Sequence, residues 1–246
     1  MALKGKLTKD KMGLDMPVNA AAFIEKPPYW RGATWYTFNY ETNPELAAEI
    51  VPEHLTIVDP LKASLVFADY EWSTAGPYLE IIQGINVEYE GEECVFFTQL
   101  GVTKSIPLMA GREVYGFPKK VGHIYFVRQD DVLGMCYERP EGIRLVTGVF
   151  REKRPMDQLP PKTTIKGITL RVITSPEKDI KYSLVELIKT ELELNVKEGW
   201  LGEGNCSYTG ISELDPWHKL PVRKDLDCTR MELDMTLKNS KIIVKL

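Results

Sequence analysis

The chain has 246 residues, 43% of them hydrophobic and 27% charged, and a formal net charge of −4. This length and composition are typical of a globular protein with a sizeable core, and they exclude a disordered chain. The acidic balance and the scattered lysines and arginines argue against nucleic acid as a partner. The first 23 residues contain no apolar run long enough for a signal peptide or a membrane span. We therefore expect a cytoplasmic protein without a membrane partner.

No spacing of cysteines or histidines indicates a metal site or a redox pair. These residues stand far apart, at Cys94, Cys136, Cys206, Cys228, His54, His123 and His218. The cysteines are interpreted as reduced, mostly buried thiols. The sequence also lacks phosphate-binding, dinucleotide-binding and nucleophile-elbow motifs. We predict neither a metal nor another cofactor.

The first elements in chain order are an arm and a helix. Residues 1–28 are rich in charged and small residues, and we expect this arm to become ordered by packing on something else. The segment NPELAAEIVPEHL then predicts a helix. Asn43 can cap its start, Pro44 suits the first helical position and Pro52 limits its length.

Short β-prone runs follow one another between Gly, Pro and Asp turn signals. They cover 34–40, 62–70, 78–90, 94–101, 122–128, 131–138, 143–150, 163–173, 231–237 and 241–246. Alternation in the third run places Glu80 on the same face as Tyr78 and Ile82. The runs 94–101 and 122–128 are apolar enough to be buried on both sides. The series predicts a mainly β protein built as a barrel or sandwich.

Two further stretches bear on how the chain is organised. The charged, proline-rich stretch 151–163 is interpreted as a loop inside one domain that spans 29–246, because the sequence on both sides of it looks alike. The stretch SLVELIKTELELNV, 183–196, fits neither the helical nor the strand period well. Its structure stays open on pattern alone.

The segment GREVYGFPKK, 111–120, ends in two adjacent lysines, Lys119 and Lys120. A lysine pair is ordinarily solvated surface charge, since lysine is almost never fully buried without a partner. Here Phe117 and Pro118 precede the pair, and an apolar run follows it. Two lysines inside an apolar segment need a compensating partner or a chemical role.

The same segment carries a family resemblance. GREVYGFPKKVG resembles the G-R-E-x-x-x-[YF]-P-K-K-x-G signature of the acetoacetate decarboxylase superfamily. GPYLE stands at the expected distance upstream and matches the active-site glutamate of that family with Glu80. IVPEHLTIVDP, 50–60, and DPWHKLPV, 215–222, resemble further family segments. The resemblance runs from about residue 29 to the end, and the lysine motif is its most specific part.

The resemblance implies a fold and an assembly. Members of the family form a closed antiparallel β-barrel or cone with a few peripheral helices, and they assemble as homo-oligomers. The resemblance also favours a strand over 183–196. The fold class we expect is therefore mainly β, with a small helical contribution.

The resemblance further implies roles for the motif residues. Lys119 would form a Schiff base with a keto acid, and Glu80 would orient the substrate or move a proton. Lys120 would tune the ionisation of Lys119, while Phe117 would form pocket wall. Arg112 and Glu113, near the start of the motif, are interpreted as an ion pair beside the lysine strand or, alternatively, as substrate-binding groups.

The attacking amine has to be neutral, and two effects favour that form. Burial in an apolar pocket lowers the pKa of a lysine by up to about 3–5 units. A second ammonium about 6 Å away contributes roughly two units. Neighbours on a strand point to opposite faces, which takes Lys120 away from Lys119. We therefore expect burial to be the larger effect.

The chain departs from the family where the substrate carboxylate would be held. The position of the family's carboxylate-binding arginine is Ala33 here, and Arg31 lies two residues earlier, where it would share the same strand face unless Gly32 breaks the strand. A second acidic pocket position corresponds to Leu65. These departures leave the identity of the keto acid open.

Three hypotheses remain on the sequence alone. The leading one is decarboxylation of a small 3-oxo acid, such as acetoacetate, through an imine at Lys119. The nearest rival keeps the imine but acts as an aldolase-dehydratase on pyruvate-like 2-oxo acids. The third is a β-barrel that binds a small apolar ligand without chemistry, and the complete lysine motif argues against it.

Overall fold

The computed structural model describes residues 2–246. Its helices are α1 (Pro44–Ala48) and α2 (Ser105–Tyr115), with short 3-10 turns at Lys9–Lys11 and Trp217–Lys219. Its strands are β1 (Tyr29–Glu41), β2 (Thr56–Ile57), β3 (Lys62–Tyr70), β4 (Trp72–Ser73), β5 (Tyr78–Tyr89), β6 (Glu92–Val102), β7 (Lys119–Val121), β8 (His123–Gln129), β9 (Val132–Glu138), β10 (Arg144–Pro155), β11 (Thr163–Thr174), β12 (Tyr182–Tyr208) and β13 (Lys224–Lys245). The predicted mainly β class is confirmed.

The strands form one sheet whose pairings return to their starting point. The order β11–β6–β5–β3–β1–β13–β12 closes into a ring because β12 also pairs with β11. Outside this ring, β10, β9 and β8 continue from the later part of β12. The sheet is mixed rather than purely antiparallel, since β6 pairs in parallel with both β7 and β11.

The stretch 183–196 lies inside β12, so it is a strand. β12 is 27 residues long. Its first part pairs with β11 and its last part with β10, while β13 follows its other edge. Because both edges are hydrogen-bonded to neighbours, long-range pairing decides the structure of a segment whose local pattern is undecided.

The helices differ from the sequence-based prediction. α1 ends at Ala48, well before Pro52, although Asn43 does cap it by accepting a hydrogen bond from the backbone N–H of Glu45. α2 is a helix that the sequence analysis did not predict. Gly111 in its middle lowers helix propensity, and this glycine is needed for another reason given below.

The central strands β1, β3 and β5 present two apolar faces. One face belongs to the main core, whose members include Tyr36, Phe38, Leu65 and Phe67. The other face, called here the lysine-side face, carries Ala33, Trp35, Ala68, Tyr70 and Tyr78. Leu65 therefore lies on the opposite face from Glu80, which pairs with Ala68. The expectation that Leu65 occupies a pocket position is wrong, because its side chain lies on the face of β3 opposite to the one that Glu80 shares.

The branch formed by β8, β9 and β10 covers the main core. Phe126 of β8 packs edge-on against Tyr36 and Phe67, at ring centroid distances of 6.0 and 6.3 Å. In β8 only Ile124 is buried, so the prediction that 122–128 is buried on both sides is wrong. β8 is the last strand of the branch, and one of its faces meets solvent.

The arm that precedes β1 folds back on itself and reaches the ring. The backbone N–H of Gly13 donates to the Val18 carbonyl, and Asp15 accepts from the N–H of Ala22. Pro28 at its end accepts a hydrogen bond from Leu237 of β13. Within residues 2–246, neither helix is long and apolar enough to cross a bilayer.

Candidate active site

Lys119 is a buried lysine with a carboxylate beside it. Its exposed fraction is 7%, and its Nζ lies 2.8 Å from Oε1 of Glu80, whose exposed fraction is 3%. The rings of Phe117 and Tyr78 stand 5.5 and 5.8 Å from the same Nζ. The amine is thus enclosed by two aromatic rings and one carboxylate, in a setting with little water.

The sheet brings this pair together across one strand. Glu80 in β5 is paired with Val102 of β6, and on the other edge of β6 Leu100 is paired with Lys119 of β7. Lys119 and Glu80 therefore lie on the two strands that flank β6. The predicted alternation also holds, because Tyr78 lies beside Glu80 and approaches Oε2 with its hydroxyl at 3.5 Å.

Two tyrosines surround the carboxylate. Burial, and then the charge of Glu80, raises the pKa of both Tyr70 and Tyr78 well above the ordinary value. Both phenols therefore stay protonated and can donate hydrogen bonds. Tyr78 in turn accepts from Nε1 of Trp30 at 3.0 Å, which fixes its ring against the site.

The end of α2 aims Lys119 at Glu80. Gly116 follows the helix with a φ of 69°, and the N–H of Phe117 reaches back to the carbonyl of Gly111. This termination turns the chain from the helix into β7. A Cβ at Gly111 would come within 2.7 Å of Cδ of Lys119, so a glycine here leaves room for the lysine side chain.

Lys120 points to different partners. Its ammonium donates to the carbonyl of Leu214 and lies 3.1 Å from Oδ1 of Asp215. The same carboxylate lies 3.3 Å from Nε of Arg139. Asp215 is buried, while both cations are about one third exposed. The charge of Lys120 is therefore partly compensated by a carboxylate that it shares with Arg139, on the side of β7 away from Glu80.

Arg112 and Glu113 do not form the ion pair that was one interpretation of the motif. They are neighbours on α2, and adjacent helical residues do not face each other. Nη1 of Arg112 instead donates to the backbone carbonyl of Lys119 at 3.1 Å. Glu113 contributes its own carbonyl as an acceptor for Arg171. Both side chains are exposed, and neither lines the cavity described next.

A cavity of about 390 Å³ opens onto Lys119. Its walls come from the N-terminal arm, β1, the β4–β5 connection, α2, the segment that leads from α2 into β7, and β13. Residues that line it include Phe23, Trp30, Tyr78, Ala110, Phe117 and Lys119. The predicted wall residue Phe117 thus does line a cavity, and part of the wall comes from the arm.

Arg31 lies outside this cavity, which corrects the expectation that it would share a face with position 33. Its guanidinium is exposed and donates to the carbonyls of Trp30 and Met235. Gly32 has a φ of 61°, and the pairing of β1 with β13 shifts register at this point. The irregularity breaks the alternation that the prediction assumed. Ala33 is fully buried on the lysine-side face.

The cysteines and histidines form no separate centre. All four cysteines are free and buried. Burial raises the pKa of Cys206 to about 12, so its thiolate is disfavoured. Within the part of the chain that the structure describes, residues 2–246, no group of three histidine, cysteine or acidic side chains is arranged to hold a metal ion.

Sequence reasoning missed three contributors to the site. Tyr78 was on the right face but received no role, although its position two residues before Glu80 is a usable signal. Gly111 stands inside the motif, and its need becomes visible only when Lys119 packs on it. The arm lines the cavity with residues that carry no local signal of doing so.

Fold and site together define a mainly β protein with a buried lysine that contacts a buried carboxylate beside a cavity. Comparison with known proteins supplies the family. The sequence model of the family Acetoacetate decarboxylase (ADC) matches residues 15–246. The chain belongs to the acetoacetate decarboxylase family, and this makes it a carbon–carbon lyase of the carboxy-lyase type.

The relatives span nearly the full chain. Decarboxylase DEC1 of Cochliobolus heterostrophus is 27% identical, over 93% of each chain. The crystal structure of acetoacetate decarboxylase from Legionella pneumophila superposes with a TM-score of 0.84 at 23% identity, covering 100% of this chain and 99% of that one. The enduracididine biosynthesis enzyme MppR, complexed with the condensation product of pyruvate and imidazole 4-carboxaldehyde, gives 0.80 at 19% identity, over 97% and 98%. The two structural likenesses show a shared fold.

Proposed function

We propose that this chain decarboxylates a 3-oxo acid through an imine formed on Lys119. The observation that carries the proposal is the buried contact of Lys119 with Glu80 at 2.8 Å, opening onto a cavity. A buried lysine without a chemical task is costly, because its charge loses hydration. Here the motif, the carboxylate and the cavity meet at the same amine.

Glu80 supports the first step by its position. A proton transferred from the Lys119 ammonium to the Glu80 carboxylate converts a buried ion pair into a neutral amine and a neutral acid. Such a neutral pair suits a water-poor site better than two separated charges do. The amine then attacks the ketone carbon, and the hydroxyl of the resulting carbinolamine takes a proton from solvent and leaves as water to give an iminium, while Glu80 keeps the proton it received.

The carbon–carbon bond breaks in the second step. The electron pair of the bond to the carboxylate moves toward the iminium, carbon dioxide leaves, and an enamine remains. The protonated Glu80 is placed to return its proton to the enamine carbon. Water then hydrolyses the new iminium, which releases the ketone and regenerates Lys119. Atoms balance as 3-oxo acid anion plus a proton giving ketone and carbon dioxide.

Other motif residues take supporting roles in this proposal. Tyr78 orients Glu80, and Phe117 walls the amine from solvent. Arg112 holds the backbone of Lys119, and Glu113 holds the helix to β11 through the contact of its carbonyl with Arg171. Lys120 exerts only a weak effect on Lys119, because Asp215 partly compensates its charge.

A trapping experiment tests the proposal. The protein is incubated with acetoacetate or with pyruvate, borohydride is added, and the peptide containing residue 119 is examined by mass spectrometry. We expect an adduct on Lys119 and release of carbon dioxide from acetoacetate. Lys119→Ala should give no adduct, and Lys120→Ala, the matched control, should still give one.

The rival hypothesis is decided by the same experiment. An adduct with pyruvate, together with no carbon dioxide from any 3-oxo acid, would favour an aldolase-dehydratase. Pyruvate is included because this chain shares its fold with MppR. No adduct with either keto acid would contradict both enzyme hypotheses and favour the binding-only alternative.

We also propose a cytoplasmic homo-oligomer whose ordered domain spans 29–246 behind an arm of 28 residues. The four free, buried cysteines suit a reducing compartment. The arm exposes Leu3, Leu7 and Met16, apolar residues that a second copy can cover. Sedimentation measurements on the full chain, and on a chain lacking residues 2–12, test the assembly; a monomer at all concentrations would contradict it.

A further inference from the structure

The cavity beside Lys119 is much larger than a four-carbon acid requires. Its volume of about 390 Å³ falls in the range of about 300–1,000 Å³ that is usual for pockets holding drug-sized ligands. Acetoacetate has only about seven non-hydrogen atoms, far fewer than such ligands. Most of the space near the amine is therefore left for a part of the substrate that does not react.

One wall of this space is an apolar face of α2. Ile106, Ala110 and Val114 recur every four residues, so they lie along one side of the helix, and all three line the cavity. Ile106 and Val114 remain 41% and 38% exposed. Large apolar side chains that face a cavity without being covered gain free energy when an apolar group packs on them.

Another part of the wall comes from the N-terminal arm. Leu14, Phe23 and Ile24 line the cavity, and Leu14 and Ile24 are about half exposed. The arm thus adds uncovered apolar surface to the same space, beside two charged lining residues, Glu25 and Lys26. The polar groups that hold the reacting end of the substrate, Lys119 and Glu80, belong to the β7 and β5 side of the site.

We infer that the preferred substrate is a 3-oxo acid with an extended apolar chain, of about six to ten carbon atoms beyond the ketone, lying between α2 and the arm. The inference rests on the proposed function and names its substrate class. The chain occupies the space lined by Ile106, Ala110, Val114, Leu14 and Ile24. The ketone and carboxylate stay at Lys119, and the product is a long methyl ketone.

A chain-length series is the direct test. The rate of carbon dioxide release is measured for 3-oxo acids of four, six, eight, ten and twelve carbons, below their micelle concentrations. Burial of each methylene should raise kcat/KM by about three- to fourfold until the cavity is full. A series that is flat, or that falls from four carbons upward, overturns the inference. It would mean that the space beside Lys119 does not receive the substrate chain, for example because a second copy of the protein fills it in solution.

The outcomes separate this inference from the proposed function. Carbon dioxide released only from the four-carbon acid contradicts the chain-length preference and leaves the decarboxylase intact. No carbon dioxide at any length contradicts the proposed function itself. Binding of methyl ketones of increasing length, followed by calorimetry, needs no turnover. The dissociation constant should fall by about three- to fourfold per methylene. A dissociation constant that does not change with chain length counts against the inference, whether or not carbon dioxide is released.

A variant that fills the space checks its location. Ala110→Phe projects a large side chain into the cavity from α2, and it should lower the ratio of kcat/KM for the ten-carbon and four-carbon acids by about tenfold or more. Ala48→Phe, at an exposed position of α1 outside the cavity, is the matched control and should leave that ratio unchanged. Circular dichroism and thermal melting establish that both variants fold. An unchanged ratio in folded Ala110→Phe overturns the inference.

Discussion

The two sides of β7 differ in what their lysines contact. On one side Lys119 is enclosed by aromatic rings, pairs with Glu80 and opens onto the cavity. On the other side Lys120 reaches Asp215, which also binds Arg139. Both sites pair a lysine with a buried carboxylate, but the first opens onto the cavity and its carboxylate contacts one cation, whereas the carboxylate of the second contacts two. In the proposed function, the surroundings and not the residue type distinguish the reacting lysine from the lysine that stabilises the fold.

The contrast between the two lysines depends most strongly on Lys119 being required for activity. Lys119→Met keeps the volume of the side chain but removes the amine that, in the proposed mechanism, forms the imine. Carbon dioxide release should fall by about 10⁵-fold or more, since the covalent route is lost. Steady-state kinetics on the folded variant measures this, and a loss of less than tenfold would show that another group is the nucleophile.

Glu80→Gln should have the next largest effect. The amide cannot accept the proton of the Lys119 ammonium or return one to carbon, so kcat should fall by about 10²- to 10³-fold. Part of the loss should be recovered at higher pH, where hydroxide removes the proton instead. A kcat within threefold of the unchanged protein would mean that Glu80 only holds the lysine in place.

Asp215→Asn tests the other side of β7 by stability. The change leaves Lys120 and Arg139 without their shared carboxylate, and we expect the free energy of unfolding to fall by about 1–3 kcal/mol, because both cations remain partly hydrated. Urea unfolding measures the change, and kcat should stay within about threefold. Glu213→Gln, on an exposed partner of Lys219, is the control and should leave the unfolding curve in place.

Gly111→Ala should change rate and stability in opposite directions. The added Cβ would meet Cδ and Cε of Lys119 at 2.7 and 2.9 Å, so the lysine must move, and kcat should fall about tenfold. Alanine also favours the helix by about 0.5–1 kcal/mol over glycine. Thermal melting tests the expected rise in stability, and steady-state kinetics tests the expected fall in kcat. Unchanged kcat would mean that the lysine side chain adapts without loss.

Lys120→Met should have the smallest effect. Lys120 lies on the far side of β7 and contacts Asp215, so its removal should leave kcat/KM at neutral pH within about twofold of the unchanged protein. Steady-state kinetics on the folded variant measures this. A fall of about 100-fold would make Lys120 a major contributor to the reactivity of Lys119 and remove the contrast between the two sides.

Much of the fold followed from local pattern, and its failures have physical reasons. The run 62–70 coincides with β3, and the face shared by Glu80 and Tyr78 follows from alternation. α2 was not predicted because Gly111 weakens its helical signal, while the glycine serves the lysine. Arg31 lies outside the cavity because the pairing of β1 with β13 is irregular at Gly32; the glycine signals a break in the strand, but the register on each side of it depends on the pairing with β13.

The sequence by itself determined the family motif, the mainly β class and the lysine to which the resemblance assigns the chemistry, since these depend on contiguous residues or short periods. The tertiary structure decided what each lysine contacts, which face of β3 the site uses and how large the cavity is. Those properties depend on pairings between strands far apart in the chain and on an arm that lines the same cavity as α2. The motif names the candidate lysine, and the packing around it sets the shape of the space beside it.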